Sequence, residues 1–409
     1  MATNAARRLA DAVLSPLRAF LHAEAAGGVV LLAAAVTAVV LANTGAAATY
    51  SDFWIQKVNV GAGGWALSED LRHWVNDGLM VVFFFVVGLE IKRELVVGEL
   101  REPRVAVLPA VAALGGALLP AALYLLIAGS GEAAGGWGVP MATDIAFAVG
   151  VLALLGARVS TGAKLFLLSV AIVDDLLAIV VIAVFYSADI DGPWLVVACL
   201  GLLAVLVQRR AGVTSPWAYV PAAVVVWGAT LESGVHATLA GVVLGLLTPA
   251  RPIRGRAVLE ELEHTLHPVS AFLVVPVFAF ANAGVDLRGE ALRAAFAEPV
   301  TWGVAVGLVA GKTAGIATVA NAARRLGLGM LPGDMHPKET WGVAAMGGVG
   351  FTVALFVTDL AFTDPELLAH AKVGIFTGSI AAAVLGVAAL MVTPAGQQAD
   401  PRPRPRVKH

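Results

Sequence analysis

The sequence predicts an all-α polytopic membrane protein with about twelve transmembrane helices. Hydrophobic residues make up 59% of the 409 residues and charged residues only 14%, whereas soluble domains carry about 25% charged residues. The mean hydropathy is +0.84. Asp174 and Asp175 stand side by side inside one long apolar run. Ionisable residues within a membrane are costly and usually functional, so the pair indicates ion handling inside a bilayer.

Twelve apolar runs approach the length of about 20 residues that a helix needs to cross a bilayer. The predicted spans are residues 27–43, 73–92, 105–128, 132–156, 163–186, 193–208, 216–232, 235–249, 267–284, 300–322, 340–362 and 369–392. We therefore expect one transmembrane domain over residues 27–393. Apolar residues recur every four positions in the N-terminal segment 1–26, which is typical of an amphipathic helix on the membrane surface. Residues 394–409 are expected to form a disordered cytoplasmic tail.

The positions of Lys and Arg predict the orientation of these spans. Of the 27 basic residues, 21 fall on one side, five including Lys372 fall on the other, and Lys312 lies inside a span. Basic residues accumulate in cytoplasmic loops, so both termini are predicted to be cytoplasmic. The net charge of −2 indicates no nucleic-acid partner, and the single cysteine, Cys199, excludes a disulfide framework.

The longest outer loop contains two short runs around a glycine-rich turn, which predicts a β-hairpin at residues 57–68. An isolated hairpin is only marginally stable in water. We therefore expect this hairpin to pair with a second copy and to form a homodimer.

Spans four and eleven carry residues that break helices. Span four contains Pro140 shortly before Asp144, and span eleven contains the glycine-rich run 347–350. Broken helices at membrane depth are tolerated where the freed backbone faces protein or a watery cavity, and their ends offer partial charges to an ion. Close helix packing explains the glycines of span eleven almost as well as a break does.

Span ten predicts a smooth packing surface, because glycines recur at every fourth position, 303, 307, 311 and 315. Lys312 lies beside this surface, where helices meet. A buried ammonium group needs a carboxylate partner, and Asp144, Asp174 and Asp175 are the candidates at that depth.

Seven motifs resemble the NhaA family of sodium/proton antiporters and extend over nearly the whole chain. They are Asn76-Asp77, the runs 88–95, 142–148, 234–241, 262–264 and 278–284, and Val173-Asp174-Asp175. The resemblance implies inverted-topology repeats around 105–186 and 300–392, with spans four and eleven broken and crossing, an architecture of which NhaA is a known example.

The resemblance also implies roles for individual residues. Asp174, Asp175 and Thr143 would bind Na⁺ or protons, with Na⁺ as the metal at the two aspartates. Asp144 and Lys312 would compensate the charges of the half-helix ends, and Lys312 would pair with Asp174. Asp77 would lie on the cation path, although a wetted residue near a helix end is an equally good interpretation.

A group of cytoplasmic residues matches positions that the family associates with pH sensing: Glu90, Arg93, Glu94, Glu263, His264 and His267. Histidine titrates near neutral pH, and anchoring at the membrane face is the alternative interpretation. His236 is interpreted as a helix-packing residue. Glu232 and Asp359 have no role that the resemblance supplies.

The implied function is export of Na⁺ and Li⁺ in exchange for protons across a bacterial plasma (inner) membrane, with membrane lipid as surroundings. The exchange would be electrogenic, with two protons per Na⁺, regulated by pH, and free of any cofactor. Either Lys312 or Asp174 would carry the second proton. Another proton-coupled cation transporter, a channel, an intramembrane protease and a retinal-type pump remain as alternatives. Against the protease, His264 and His267 lack the i, i+4 spacing of a zinc-binding helix.

Overall fold

A computed structural model describes residues 26–62, 65–187 and 190–393. The predicted amphipathic segment 1–26, except for its last residue, and the predicted tail 394–409 lie outside the described residues. The described chain is almost entirely helical, with one two-stranded antiparallel sheet.

The first part of the chain builds the hairpin and two long helices. Its elements are α1 (Ala26–Ala42), α2 (Ala47–Trp54), β1 (Lys57–Ala62), β2 (Trp65–Asp70), a helical turn Leu71–His73, a π-helical turn Trp74–Leu79, α3 (Met80–Val96), a 3₁₀ turn Glu99–Arg101 and α4 (Pro103–Ala128).

The middle of the chain holds the first broken helix. Its elements are a 3₁₀ segment Glu132–Met141, α5 (Ile145–Leu155), a 3₁₀ turn Gly156–Arg158, α6 (Thr161–Phe185), α7 (Gly192–Arg210), a 3₁₀ turn Pro216–Ala218, α8 (Val220–Glu232), α9 (Thr238–Leu247), α10 (Val258–Val269), a π-helical turn Ser270–Val274 and α11 (Val275–Asn282).

The last part holds the second broken helix. Its elements are α12 (Gly289–Ala297), α13 (Pro299–Val306), a π-helical turn Gly307–Gly311, α14 (Lys312–Arg325), α15 (Glu339–Met346), α16 (Phe351–Ala361) and α17 (Pro365–Val392).

Helix lengths and apolarity identify a polytopic membrane protein. Among the described residues, six helices are long and apolar enough to cross a membrane, and three bent pairs reach that length together. Two of these pairs are the predicted breaks: the segment 132–141 meets α5 at 42°, and α15 meets α16 at 46°. The third pair, α1 and α2, is bent by 116°. Polar caps start several helices, as where Ser160 Oγ accepts from the amide of Ala163 at the start of α6.

The helices pack in two groups. In the site group, α4 packs against α6, α13 and α14, and α17 packs against α13, α15 and α16. In the flanking group, α3 packs against α9 and α10, and α8 packs against α7 and α9. Few contacts join the groups, chiefly those of α3 with α6 and of α11 with α16.

Glycines allow close approach in both groups, as the spacing in span ten predicts. A Cβ atom on Gly315 would clash with the backbone of Gly115 in α4, and one on Gly311 would lie 2.6 Å from the Cα atom of Pro120. The predicted packing surface is therefore confirmed, and it faces α4. In the flanking group, a Cβ atom on Gly88 of α3 would lie 2.7 Å from a carbonyl oxygen of α9.

The predicted hairpin is also confirmed. β1 and β2 pair antiparallel, with Val60 opposite Leu67. The strands extend to Ala62 and Asp70, so the hairpin is slightly longer than the sequence predicts, and residues 63–64 of its turn are outside the described chain.

Two predictions need correction. The sequence counts Lys372 with the basic residues of the outer side, near the start of span twelve, but the structure buries it within α17, where only 3% of it is exposed. A partner from another helix, Asp359, allows this lysine to be buried. Span nine was predicted to begin at residue 267, but the helix begins at Val258. Its first turns are amphipathic, so hydropathy alone does not mark their start.

Candidate functional site

The two broken helices meet at Asp144. Its carboxylate begins α5 by accepting from the amide of Phe147 at 2.9 Å. The same carboxylate accepts from the amide of Thr352 at 3.0 Å and from its hydroxyl at 2.6 Å, at the start of α16. The amide of Asp144 donates to the carbonyl oxygen of Val349 at 2.6 Å. Helix N-termini carry partial positive charge, so one carboxylate lies where two such charges converge.

Thr143 joins the crossing to the aspartate pair. Its hydroxyl oxygen lies 2.6 Å from Asp174 Oδ2 and 2.8 Å from the carbonyl oxygen of Gly347. A hydroxyl has one proton to donate, so it can serve one of these acceptors at a time. The close approach of the chains needs glycine in the second break, because a Cβ atom on Gly350 would lie 2.8 Å from the carbonyl oxygen of Ala142. Packing and a break are thus both present in span eleven.

Asp174 lies in the middle of α6 and is paired with Lys312. The Lys312 ammonium forms an ion pair and a hydrogen bond with Asp174 Oδ2. Both side chains are buried, with 0% and 1% exposed. The other oxygen, Asp174 Oδ1, is buried and has no hydrogen-bond partner among the described residues. Buried polar atoms without a partner are rare, and a carboxylate oxygen in this position can accept a proton or coordinate a hard cation.

Asp175 faces an open cavity. The cavity is lined by residues of α1, α3, α5, α6, α16 and the 270–275 region, among them Phe83, Glu90, Thr143, Asp144, Asp175, His267 and Thr352. Asp174 is not among its lining residues, although it is the next residue along α6. The aspartate pair therefore combines one carboxylate in contact with the cavity and one paired with a lysine behind it.

Charged residues of α3 and α10 meet where Glu90 and His267 line this cavity, a region we call the cavity mouth. His267 Nε2 lies 3.8 Å from Glu90 Oε1. Arg93 forms an ion pair with Glu263 and lies 3.5 Å from Glu94. Five of the six residues predicted for pH sensing therefore meet here. His264 does not join them, because it follows Glu263 on α10 and is exposed.

Asp77 lies apart from the aspartate pair. It lies 13 positions before Glu90, most of them in α3, which places the two about 20 Å apart along the helix. Its carboxylate is 3.2 Å from His73 Nε2, and its carbonyl oxygen accepts from the Trp227 indole at 2.7 Å. The indole contact fixes the backbone of the π-helical turn at this end of the molecule.

Sequence reasoning missed several polar contacts. Thr352 and Gly347 complete the crossing, and their positions in the glycine-rich break were the available signal. The sequence assigns Asp359 no role, but in the structure it contacts Asn76 at 2.9 Å and Lys372 at 3.8 Å. His236 Nε2 lies 2.5 Å from the carbonyl oxygen of Tyr186, which agrees with its interpretation as a packing residue.

A carboxylate pair and an ammonium group buried among membrane helices, with a cavity leading to one of them, define an ion-translocating membrane protein. Comparison with known proteins identifies the family. The profile of the family described as Na⁺/H⁺ antiporter 1 matches residues 18–390. The chain therefore belongs to this family and is a sodium/proton antiporter, in a family of transporters rather than enzymes.

Individual relatives are similar over almost their whole length. The chain is 45% identical to Na⁺/H⁺ antiporter NhaA 3 of Frankia alni, over 93% of this chain and 89% of the relative. It is 47% identical to Na⁺/H⁺ antiporter NhaA 1 of Erythrobacter litoralis, over 93% of both chains. It is 46% identical to Na⁺/H⁺ antiporter NhaA of Yersinia pseudotuberculosis, over 94% of this chain and 98% of the relative.

Proposed function

We propose that the protein exports Na⁺ from the cytoplasm in exchange for protons at a site formed by Asp174, Asp175 and Thr143. One observation carries this assignment: within the part of the chain that the structure describes, Asp174 Oδ1 is buried without a hydrogen-bond partner, while the adjacent Asp175 lines the open cavity. A cation entering the cavity reaches Asp175 first and can then engage Asp174.

Exchange follows from competition for the same oxygens. An isolated negative charge is costly inside a membrane, so the carboxylates hold either a proton or a cation. Hard cations prefer oxygen ligands, which Asp174, Asp175 and Thr143 offer together. If only a loaded site moves between the two faces, each Na⁺ that leaves must be replaced by protons. Li⁺ is also a small hard cation, and we propose it as a second substrate.

Lys312 links cation binding to charge movement. Na⁺ at Asp174 removes the counter-charge of the buried ammonium, which favours loss of its proton, since an unpaired charge is costly at this depth. Lys312 would then carry the second proton and Asp175 the first, and two protons would enter for each Na⁺ that leaves. The cycle would move one net charge, which the membrane potential drives with about 2.3 kcal/mol per 100 mV.

Asp144 would stabilise the crossing without exchanging its ligands, because three donors from two helix ends already occupy it. The charged group at the cavity mouth would adjust activity to pH. His267 and Glu90 line the cavity itself, so a change in their charge alters the potential that an entering cation meets.

The remaining proposals concern the whole molecule. We propose twelve spans, with inverted repeats around 105–186 and 300–392 and with both termini on the cytoplasmic side of the bacterial inner membrane. The cavity mouth would then face the cytoplasm, because Arg93 and the basic loop after α3 lie at this end. A homodimer through the hairpin is supported by Val58 and Val60 of β1, which are 38% and 50% exposed.

Everted membrane vesicles test the proposed function directly. Vesicles from cells lacking other sodium/proton antiporters are acidified by respiration, and a fluorescent dye reports the internal pH. We expect Na⁺ and Li⁺, but not K⁺, to release protons from vesicles that contain the protein, with a rate that rises as the external pH is raised. Absence of Na⁺-dependent release at every pH would contradict the proposal.

A further inference from the structure

A second buried charge pair lies outside the ion site. Asp359 of α16 and Lys372 of α17 approach to 3.8 Å, with side chains 13% and 4% exposed. Asn76 Nδ2 donates to the other oxygen of Asp359 at 2.9 Å, and Asn282 Nδ2 donates to Asn76 Oδ1 at 2.7 Å. We call Asn76, Asn282, Asp359 and Lys372 the outer cluster.

The outer cluster joins the two helix groups. Asp359 and Lys372 belong to the site group, whereas Asn76 and Asn282 belong to segments packed with α3 in the flanking group. Below the cluster, Phe356 lies one turn before Asp359 on α16. Its ring centroid is 5.1 Å from that of Phe84 and 6.1 Å from that of Phe278, both in the flanking group. The boundary between the two helix groups is therefore closed by two layers of contacts, the polar outer cluster and the aromatic side chains below it.

The outer cluster and the open cavity lie at different points along the boundary between the two helix groups. The open cavity lies between the groups and is lined along α3 from Phe83 to Glu90. Asn76 lies beyond the start of α3, about 10 Å from Phe83 and about 20 Å from Glu90 along the helix. One end of the boundary is thus open to the ion site, and the other is closed by these contacts.

We propose that the hydrogen bond from Asn76 to Asp359 holds the outer side of the transporter closed, and that it breaks whenever the ion site opens outward. This inference rests on the proposed function, which requires the site to face both sides in turn. Lys372 lies in the same group as Asp359, so their pairing persists when Asn76 withdraws. Asp359 therefore keeps a charged partner when the outer side opens. A buried carboxylate without a partner would be costly.

The change Asn76→Ala tests the proposal, because it removes the donor and leaves the charge pair intact. Hydrogen bonds to charged groups are among the stronger ones, so we expect the ratio of outward-open to inward-open protein to rise about tenfold. A state that is less populated binds its ligand with weaker apparent affinity. The apparent affinity for Na⁺ should therefore weaken from the cytoplasmic face, in everted vesicles, and strengthen from the outer face, in right-side-out vesicles.

Thr358→Val is the matched control. Thr358 is buried next to Asp359, but its hydroxyl donates to Ala354 within the same helix at 2.9 Å. Both apparent affinities should stay at the wild-type values. A second variant, Asp359→Asn with Lys372→Met, keeps an acceptor for Asn76 but removes both charges. It should shift the affinities in the same directions by a smaller factor, since a neutral hydrogen bond is about half as strong.

A labelling experiment separates this inference from the proposed function. Asn282→Cys, in a Cys199→Ser background, is labelled from the outer side with a membrane-impermeant thiol reagent in the absence of Na⁺. Adding Asn76→Ala should increase the labelling rate several-fold, whether or not the protein exchanges ions. Unchanged labelling, or affinities that change in the same direction on both faces, would overturn the inference, whereas a wild-type protein without exchange would overturn only the proposed function.

Discussion

The ion pair between Asp174 and Lys312 is the contact on which the proposed stoichiometry depends. Both groups are buried, and Asp174 keeps one oxygen without a partner. In the proposed cycle, a cation that binds this oxygen neutralises Asp174 and weakens its pairing with Lys312. Two hypotheses about the second proton differ in the role they give to this pair. In one, Lys312 releases the proton when the pair breaks. In the other, Asp174 carries the proton and Lys312 stabilises the fold.

Removing both members of this pair tests its role in charge movement. Asp174→Asn with Lys312→Gln leaves no unpaired buried charge, so we expect the protein to fold. Asp175 remains as the one exchangeable carboxylate, and exchange should become one proton per Na⁺ and electroneutral. In proteoliposomes, a potassium diffusion potential should stimulate the wild-type protein and not the double variant. Stimulation of the double variant would refute the account.

Histidine is the side-chain type that titrates nearest to neutral pH, and His267 is the histidine that lines the cavity beside Glu90. Its protonated form places a positive charge beside Glu90, where it repels entering Na⁺. His267→Gln removes that charge, so we expect activity in everted vesicles at acidic pH to rise several-fold, while the maximal rate stays close to the wild-type value. His264→Gln is the control, because His264 is exposed and should leave the pH profile unchanged. If the wild-type, His267→Gln and His264→Gln proteins have the same pH profile of activity, the interpretation that these residues anchor the protein at the membrane face is favoured.

At the scale of elements, helix breaks and close packing position the site. The sequence predicts the breaks in spans four and eleven, the hairpin and the glycine surface of span ten, because each depends on local residue types. It does not predict the position of Lys372, since a lysine near a helix end is compatible with either the membrane surface or the interior. The buried position of Lys372 depends on its contact with Asp359, which belongs to a different helix. The bonds from Thr352 to Asp144 were missed for the same reason.

The contact between α4 and α14 gives a test of packing. Gly315→Ala would bring a methyl group into a clash with the carbonyl oxygen of Gly115 in α4, and Gly315 lies about one turn after Lys312 in α14. We expect a loss of about 1–3 kcal/mol in stability, measured as a lower melting temperature in detergent. Gly228→Ala, in α8, is the control, because a Cβ atom there meets no neighbour within 4 Å. It should be neutral or stabilising by about 0.5–1 kcal/mol, and equal effects of the two changes would contradict the packing account.

At the scale of the whole molecule, the hairpin is the segment proposed to join two copies. No other strand of the described residues pairs with the outer edges of its two strands, and such edges can pair with another chain. Replacing residues 57–70 with a flexible Gly/Ser linker should convert the dimer to a monomer, measured by light scattering in detergent. Na⁺/H⁺ exchange should persist, because the ion site lies within each copy. A dimer that survives this replacement would place its interface elsewhere.

The central claim is that the buried aspartate pair exchanges Na⁺ for protons, and the sharpest test is a single isosteric change in a purified system. Asp175→Asn keeps the shape of the side chain that lines the cavity, but the amide can neither take up a proton nor neutralise a cation. Wild-type and variant proteins are reconstituted into proteoliposomes containing a pH-sensitive dye, and an Na⁺ gradient is imposed. We predict Na⁺-driven pH change for the wild-type protein and, at an unchanged melting temperature, at least a hundredfold lower rate for the variant, as the loss of one essential exchange group implies (about 2.7 kcal/mol). A rate for Asp175→Asn close to that of the wild-type protein would contradict the account.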